Sequence, residues 1–199
     1  MIKLENTEVH GIARAIYSGR NAMNSWDKSD SDFVTDTLGE NDLRLARNLV
    51  KAGSDHSKFM RMINVTVDIT APMYWWKEAD TYKVGTVRNS CSTMHKVHAK
   101  EFELDDFSHD HLPENNTVLD YIICALNVYR KNYLETKDKS WWWQIIQILP
   151  SSYNQKATLQ LNYAVLRNAF HARNNHKLDE WHAFCHWIEG LPYSELITL

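Results

Sequence analysis

The fold of this 199-residue chain follows from residues 63–69, Ile63-Asn64-Val65-Thr66-Val67-Asp68-Ile69. The apolar residues of this stretch are β-branched and alternate with polar ones, which is typical of a strand with one face in the core. Ala71 and Pro72 follow, and Pro72 suits the first turn of a helix because that turn does not use its N–H. The sequence therefore predicts a strand that runs directly into a short helix over residues 73–79.

Segments on both sides of this strand have mainly helical patterns. Over residues 41–52 apolar residues recur largely at i, i+3, i+4 and i+7, and Gly53 ends that helix. Downstream of residue 79 the pattern predicts polar strand or loop to about residue 100 and a helix over residues 116–135. A further helix is capped by Ser140 and ended by Pro150. A strand containing Leu159 and Leu161 then leads into a helix over residues 163–173, and the last helix covers residues 177–189. The first 35 residues are polar and irregular, which predicts loop with one short helix.

Length and composition limit the class of protein. A chain of 199 residues buries a core without metal or disulfide support, so we expect one α+β domain over residues 1–199. The net charge of -3, from 22 basic and 25 acidic residues spread along the chain, gives no basic stripe for a nucleic-acid polymer. No signal peptide and no run of 18 uncharged apolar residues is visible, so we expect a cytoplasmic protein without a membrane partner.

Cysteine and tryptophan usage adds two expectations. Cys91, Cys124 and Cys185 are odd in number and widely spaced, which predicts reduced thiols. Eight tryptophans, three of them consecutive at residues 141–143, exceed what one small core needs. Because Trp and Tyr are enriched at interfaces, this composition favours contact between subunits.

Phosphate and metal motifs of the usual kinds are missing from the sequence. None of the six glycines lies within four residues of another, so a bound phosphate needs arginine side chains or bare helix N-termini. His182 and His186, one helical turn apart beside Cys185, allow a shared metal. They lack the Glu of an H-E-x-x-H motif and further ligands, so we interpret them as a solvated or core-edge helix face and predict no metal.

Two further groups of residues have a chemical and a structural interpretation. Cys91 or Ser92 with His95 allows a nucleophile and its base, although the local sequence equally fits a polar loop. Asn162, Asn168 and Arg173 follow one another at separations of six and five residues, so they need not share one narrow helix stripe. Taken alone, they fit an N-cap, a polar helix position and a C-terminal arginine that favours the helix dipole.

The C-terminal part of the chain resembles a known family. The residues that carry the resemblance are, in order, Leu149-Pro150, Asn162, Asn168, Arg173, Glu180-Trp181 and Leu191-Pro192-Tyr193. They are similar to the conserved end of the flavin-dependent thymidylate synthases, which transfer a one-carbon unit to the uracil base of dUMP. The resemblance covers roughly Leu43 to the C-terminus and implies a central antiparallel sheet flanked by helices, with residues 1–40 as a divergent N-terminal segment.

The family's signature loop, which carries Arg-His-Arg, Ser, Asn-Glu, Ser and Arg, is largely rewritten in this chain. The replacements are Thr81-Tyr82-Lys83 for Arg-His-Arg, Thr86 for Ser, Ser90 for Glu and Met94 for the last Arg, while Asn89 and Ser92 are kept. Each loss of an arginine removes charge-assisted and bidentate contacts to phosphate or carboxylate. Arg88, next to Asn89, compensates in our interpretation, as does Arg61, which stands where the family has a flavin-contacting histidine.

The resemblance also implies a role for each matching residue. In the family the two asparagines contact FAD and the arginine holds the nucleotide. Carried over, Asn162, Asn168, Asn89 and Arg61 bind the flavin, and Ser92 lies near the reacting base as the catalytic candidate. The remaining role, binding of the dUMP phosphate, falls to Arg173, Lys83 and Arg88.

The reaction implied is reductive transfer of a one-carbon unit to dUMP with FAD, NADPH and methylenetetrahydrofolate. No protein nucleophile is required, because the cofactor carries the chemistry. Family members are homotetramers with active sites between subunits, so a homotetramer is expected. The alternatives are a divergent family member that binds another pyrimidine nucleotide or lacks catalysis, and an interaction protein that keeps only the fold.

Overall fold

The computed structural model describes residues 2–113 and 117–199. Within these residues the strands are β1 (Lys3–His10), β2 (Asn64–Pro72), β3 (Val87–Ser90) and β4 (Asn154–Asn162). They form one antiparallel sheet with the order β1-β2-β4-β3, and helices flank it. The predicted α+β class with an antiparallel sheet is therefore confirmed.

The α-helices of the described residues follow the chain in a simple order. They are α1 (Ile12–Gly19), α2 (Glu40–Lys51), α3 (Met73–Ala79), α4 (Thr93–Lys96), α5 (Val118–Thr136), α6 (Lys139–Ile148), α7 (Tyr163–Arg173), α8 (Asp179–Glu189) and α9 (Glu195–Thr198). Short 3-10 turns lie at Arg20–Met23, Trp26–Lys28, Ser57–Met62 and Leu104–Asp106.

The strongly patterned segments agree with their predictions. In β2 the side chains alternate between buried and partly exposed, and α3 begins directly after Pro72. Helices α2, α7 and α8 lie where the apolar spacing predicts them, within two residues. The predicted start of the long helix at Asn116 lies outside the described residues, and the described helix runs from Val118 to Thr136.

Three details of the prediction are wrong. Residues 93–96 form helix α4 within a segment that was predicted as strand or loop. The other two concern residues 3–10 and Ser140. Residues 3–10 form a strand, whereas loop was predicted for this polar segment. β1 is an edge strand whose side chains are mostly exposed, so its hydrogen-bonding pattern rather than an apolar alternation defines it. Ser140 does not cap α6, because the Asp138 side chain does so by accepting a hydrogen bond from Ser140 N at 2.9 Å.

Contacts between Cα atoms divide the chain into two compact units. The first unit comprises the described residues of 1–3, 69–81 and 89–157, and the second comprises residues 4–68, 82–88 and 158–199. In the first unit, α5 and α6 pack together, and the core contains Val97, Phe102, Phe107, Leu119, Leu126 and Ile145. In the second unit, α7 packs against α8, α9 and the turn Ser57–Met62, and α1 packs against α2 and the same turn.

Acidic residues of the polar segment between α1 and α2 cap both of these helices. Asp36 accepts hydrogen bonds from the backbone N–H groups of Gly11, Ile12 and Ala13 at 2.7, 3.0 and 2.7 Å, and so satisfies the start of α1. Asp30 accepts from the N–H groups at the start of α2, at 2.8 and 3.0 Å. The acidic residues that give this segment an irregular sequence are therefore structural.

A buried ion pair anchors the turn after α1 to α2. Arg20 and Asp42 are 5% and 0% exposed, and Arg20 Nε and Nη2 each lie 2.6 Å from Asp42 Oδ1. The Ser29 and Ser31 hydroxyls donate to the other carboxylate oxygen at 2.6 Å. Burial raises the pKa of Asp42, but the hydroxyl and guanidinium donors outweigh burial and hold that pKa below its usual range.

Candidate functional site

Asn162 joins the start of α7 to the turn over residues 83–86. Its Oδ1 accepts a hydrogen bond from Val165 N at 3.1 Å, so the N-cap interpretation of this residue is confirmed. Its Nδ2 faces the Gly85 carbonyl oxygen at 3.5 Å. Gly85 has φ +79°, and a β-carbon there would lie 3.0 Å from Asn162 Nδ2, so glycine permits this close approach.

Arg173 ends α7 beside two aromatic rings. Its Nε donates to the Tyr82 hydroxyl oxygen at 2.9 Å, and its Cζ lies 4.9 Å from the Trp181 ring centroid and 5.6 Å from that of Tyr82. The two rings meet edge to face with centroids 5.9 Å apart. Cation–π attraction and the hydrogen bond together fix the position of the guanidinium. Residues 82–85 therefore contact both ends of α7.

The other predicted residues of the second unit occupy separate positions. Lys83 is exposed in the turn that Asn162 contacts, and its carbonyl accepts a hydrogen bond from Thr86 N at 3.4 Å. Arg88 is half-buried in β3, and Asn168 is exposed on α7. The structure thus places Lys83 next to Tyr82, which holds Arg173, and shows no shared contact between Asn162 and Asn168 in the described part of the chain.

Asn89 and Ser92 belong to the first unit. Asn89 is exposed in β3, and the following loop is fixed because Cys91 N donates to the Lys156 carbonyl at 2.9 Å. The Ser92 hydroxyl oxygen accepts from His95 N at 3.1 Å and so caps α4. The contact between Ser92 and His95 is therefore a helix cap through the backbone and does not join hydroxyl to imidazole.

Two cavities in the second unit lie along the turn Ser57–Met62 and share Lys58. The larger, of about 900 Å³, is lined by apolar side chains such as Leu49, Phe59 and Met62 and by the polar or charged side chains of Ser18, Asn21, Asp55, His56 and Lys58. Its volume falls in the range of roughly 300–1,000 Å³ that is usual for small-molecule sites. One wall consists of Ser18, Gly19, Asn21 and Ala22, the segment that Arg20 anchors.

The smaller cavity contains Arg61, the predicted flavin contact. It has about 230 Å³, and its lining includes Lys58, Arg61 and Arg167 together with Ser54 and Ser57. Neither Asn162 nor Arg173 lines it. Sequence reasoning missed Lys58 and Arg167 here and Tyr82 and Trp181 around Arg173, because no spacing rule connects residues so far apart in the chain.

The histidines of α8 have acidic neighbours on their own helix. His182 Nδ1 lies 3.6 Å from Asp179, and His186 Nδ1 lies 3.4 Å from Glu189. Across residues 2–113 and 117–199, no three His, Cys, Asp or Glu side chains are grouped as a metal site would need. All three cysteines are free, and burial raises the pKa of Cys185 to about 11. Among the described helices, none combines the length and apolar character needed to cross a membrane.

Comparison with known proteins identifies the fold. No family model and no curated protein sequence matches the chain. A crystal structure of the flavin-dependent thymidylate synthase ThyX from Helicobacter pylori, complexed with FAD and dUMP, superposes with a TM-score of 0.75 at 18% identity, over 98% of each chain. A second Helicobacter pylori ThyX structure with FAD and dUMP gives 0.73 at 17% identity over the full length of both. The chain therefore has the ThyX fold, as the resemblance implied.

Proposed function

We propose that this chain is a thymidylate synthase-like enzyme that binds FAD and dUMP. The supporting observation is the superposition over 98% of the chain on a protein that was crystallised with both ligands. Identity of 18% supports the fold alone, so the assignment of residues depends on the geometry of this chain. The finer proposal is reductive transfer of a one-carbon unit to dUMP with NADPH and methylenetetrahydrofolate, in a cytoplasmic homotetramer.

The residues of the second unit fit a flavin nucleotide. The cavity of about 900 Å³ offers apolar surface for a planar ring, and Lys58 at its edge offers a charge for phosphate. In our proposal Arg61 binds the flavin phosphates, and Asn162 and Asn168 contribute amide groups. Asn162 keeps one amide hydrogen and one carbonyl lone pair beyond its present contacts. When bound, reduced flavin supplies the hydride, while the protein supplies binding and orientation.

Arg173 is the proposed anchor for the phosphate of dUMP. Its Nε donates to the Tyr82 hydroxyl oxygen, and this bond and the two rings orient the guanidinium, a fork of donors suited to phosphate. Lys83, exposed one residue after Tyr82, adds a second positive charge. Arg88 is proposed as a further phosphate contact, Asn89 as a flavin contact, and Ser92 as the group near the uracil base.

A second candidate function is nucleotide binding without thymidylate synthesis, or with another pyrimidine nucleotide. Two features favour it. The neutral residues Thr81 and Met94 replace arginines of the signature loop that the resemblance describes, and Ser90 replaces its glutamate. The Ser92 hydroxyl oxygen already accepts a backbone hydrogen bond as a helix cap, although its own hydrogen remains available as a donor.

The first experiment is to purify the protein, record its visible spectrum and titrate it with FAD and then dUMP by calorimetry. Flavin and dUMP binding followed by dTMP formation with NADPH and methylenetetrahydrofolate is the expected result. A protein that binds dUMP but neither FAD nor reduced flavin supports the second candidate. Absence of binding to both ligands overturns the proposal and leaves a protein that shares only the fold.

Arg173→Ala tests the nucleotide assignment. We expect dUMP binding to be lost while far-UV circular dichroism stays unchanged, because the guanidinium lies on the half-buried end of a helix. Arg44→Ala is the matched control, since Arg44 is on α2 and its guanidinium contacts only the neighbouring Asn41 at 2.7 Å within the described residues. Unchanged dUMP affinity in Arg173→Ala contradicts the assignment.

A further inference from the structure

A cavity of the first unit has walls of aromatic side chains. It is formed by α4 with the residues just after it, the last turns of α5 and the start of α6. Its volume of about 550 Å³ falls within the roughly 300–1,000 Å³ that is usual for small-molecule sites. The side chains of its lining that carry a ring or a charge are His95, His98, Tyr133, Lys139, Trp142 and Trp143.

The two tryptophans of this cavity offer aromatic surface that is already positioned. Trp142 Nε1 donates to the Met94 carbonyl oxygen at 3.1 Å, which joins α6 to α4. The Trp142 and Trp143 rings meet edge to face with centroids 4.9 Å apart, and Trp143 is 51% exposed. A planar ring that enters the cavity therefore gains aromatic contact without first having to order Trp142.

His98 adds a polar group that the protein leaves without a partner. Its ring packs edge to face on Tyr133 with centroids 4.8 Å apart, and its Nδ1 is buried with no hydrogen-bond partner in the described part of the chain. Burial, and then the positive charges of Lys137, Arg130 and Lys96, lower the pKa of His98, so its imidazole is neutral at pH 7. A neutral imidazole carries one N–H donor, and no hydrogen bond to Nδ1 holds this ring in its present orientation. The imidazole is therefore available to turn toward a ligand and donate to it.

The charges around the cavity favour an anion over a cation. Lys139 lies in the lining, no acidic side chain does, and the three cations that act on His98 lie nearby. Asp138 accepts a hydrogen bond from Ser140 N and does not line the cavity. These cations are mostly exposed to water, so they set the sign of a preferred ligand rather than require one. The lining has no arginine, whose fork of donors suits phosphate, so its single donors fit a singly charged carboxylate better.

We propose that this cavity binds a small planar aromatic carboxylate. The tryptophan and tyrosine side chains contact the ring, and Lys139 with the two imidazoles binds the carboxylate. The site goes beyond the proposed function, because it shares no lining residue with the proposed FAD and dUMP contacts. His95 N donates to the hydroxyl oxygen of Ser92, which is proposed to lie near the uracil base, so competition with those ligands belongs to the test.

Calorimetry with naphthoate tests the site, and the corresponding naphthamide is a neutral probe of the same shape. We expect wild type to bind naphthoate about tenfold more tightly than the amide, because only the carboxylate is attracted by the cations. Trp143→Ala should weaken naphthoate binding about tenfold through loss of ring contact, and Lys139→Met about three- to fivefold through loss of charge. Trp26→Ala and Lys131→Met are the matched controls, since both residues are exposed and neither lines the cavity.

The outcomes separate this site from the proposed function. Wild type that does not bind naphthoate, or that binds naphthoate and naphthamide equally, overturns the site. Equal naphthoate affinity in wild type, Trp143→Ala and Lys139→Met overturns it as well. Displacement of naphthoate by saturating FAD, dUMP or methylenetetrahydrofolate assigns the cavity to the proposed reaction and overturns a separate site. Naphthoate binding that both variants weaken, in a protein that binds neither FAD nor dUMP, supports this site and overturns the proposed function.

Discussion

Replacement of Arg20 by methionine tests how the wall of the larger cavity is held. Arg20 contacts Asp42 through two nitrogens at 2.6 Å, and both side chains are buried. Methionine fills similar volume but leaves the carboxylate buried without its cation. Ser29 and Ser31 still donate to that carboxylate, so part of its solvation remains.

We expect Arg20→Met to lower the free energy of unfolding by a large amount for a single substitution. Removing one partner of a buried ion pair typically costs about 3–5 kcal/mol, and the two serine hydrogen bonds place this case toward the lower end. Arg47→Met is the matched control, because the pair of Arg47 with Glu195 is about half exposed, at 47% and 37%. Exposed pairs contribute about 0.2–1 kcal/mol. The two variants should therefore differ by at least about 2 kcal/mol.

Urea denaturation followed by circular dichroism measures both free energies of unfolding. Arg20→Met should lower the midpoint strongly without a change in slope, whereas Arg47→Met should hardly move it. The double variant Arg20→Met with Asp42→Asn should recover part of the loss, because the unpaired charge is gone. Losses of equal size in Arg20→Met and Arg47→Met would refute the reasoning that burial makes the first pair an anchor.

Two further predictions concern acid and the nucleotide anchor. The folded-state pKa of Asp42 lies below its unfolded value, so the stability that the ionised carboxylate contributes is present above about pH 4 and is lost as pH falls through the folded pKa. In Asp42→Asn, the free energy of unfolding should therefore depend less on pH in the acid range. An unchanged pH dependence contradicts this. Tyr82→Phe keeps the ring beside Arg173 but removes the hydroxyl oxygen that accepts the Arg173 hydrogen bond at 2.9 Å. We expect the affinity for dUMP, measured by calorimetry, to be about three- to tenfold weaker. Equal affinity in wild type and variant contradicts a positioning role for Tyr82.

Elements with a strong apolar period were predictable from the sequence because burial of their apolar side chains dominates their formation. β2 alternates at a period of two with one face in the core, and α7 begins where the strand pattern ends at Asn162. β1 was missed because an edge strand needs paired backbone groups but few apolar side chains. Asp36 and Asp30 were missed as helix caps because each acts on N–H groups that lie 11 to 25 residues away.

The sequence names candidate members of the site, and the structure supplies contacts that the sequence does not show. The resemblance gave Asn162 and Arg173, and the structure adds that residues 82–85 reach both ends of their helix. Tyr82 stands where the family has a histidine, and its hydroxyl takes a hydrogen bond from Arg173. Tyr82, which departs from the family's pattern, therefore positions Arg173, which matches it. Such pairing is set by tertiary packing, which sequence spacing does not encode.

The positive charges available for phosphate binding likewise depend on tertiary packing. Thr81 and Met94 stand where the signature loop has arginines, which by itself favours loss of phosphate binding. Lys58, Arg61 and Arg167, however, line one cavity without an acidic neighbour among its described residues. If phosphate affinity depends on how many cations converge at a cavity, and less on which loop supplies them, a rewritten loop is compatible with a retained nucleotide site. Replacing Lys58 by methionine and, separately, Arg173 by alanine would distinguish these contributions, because Lys58 lines the cavities along Ser57–Met62 and Arg173 does not.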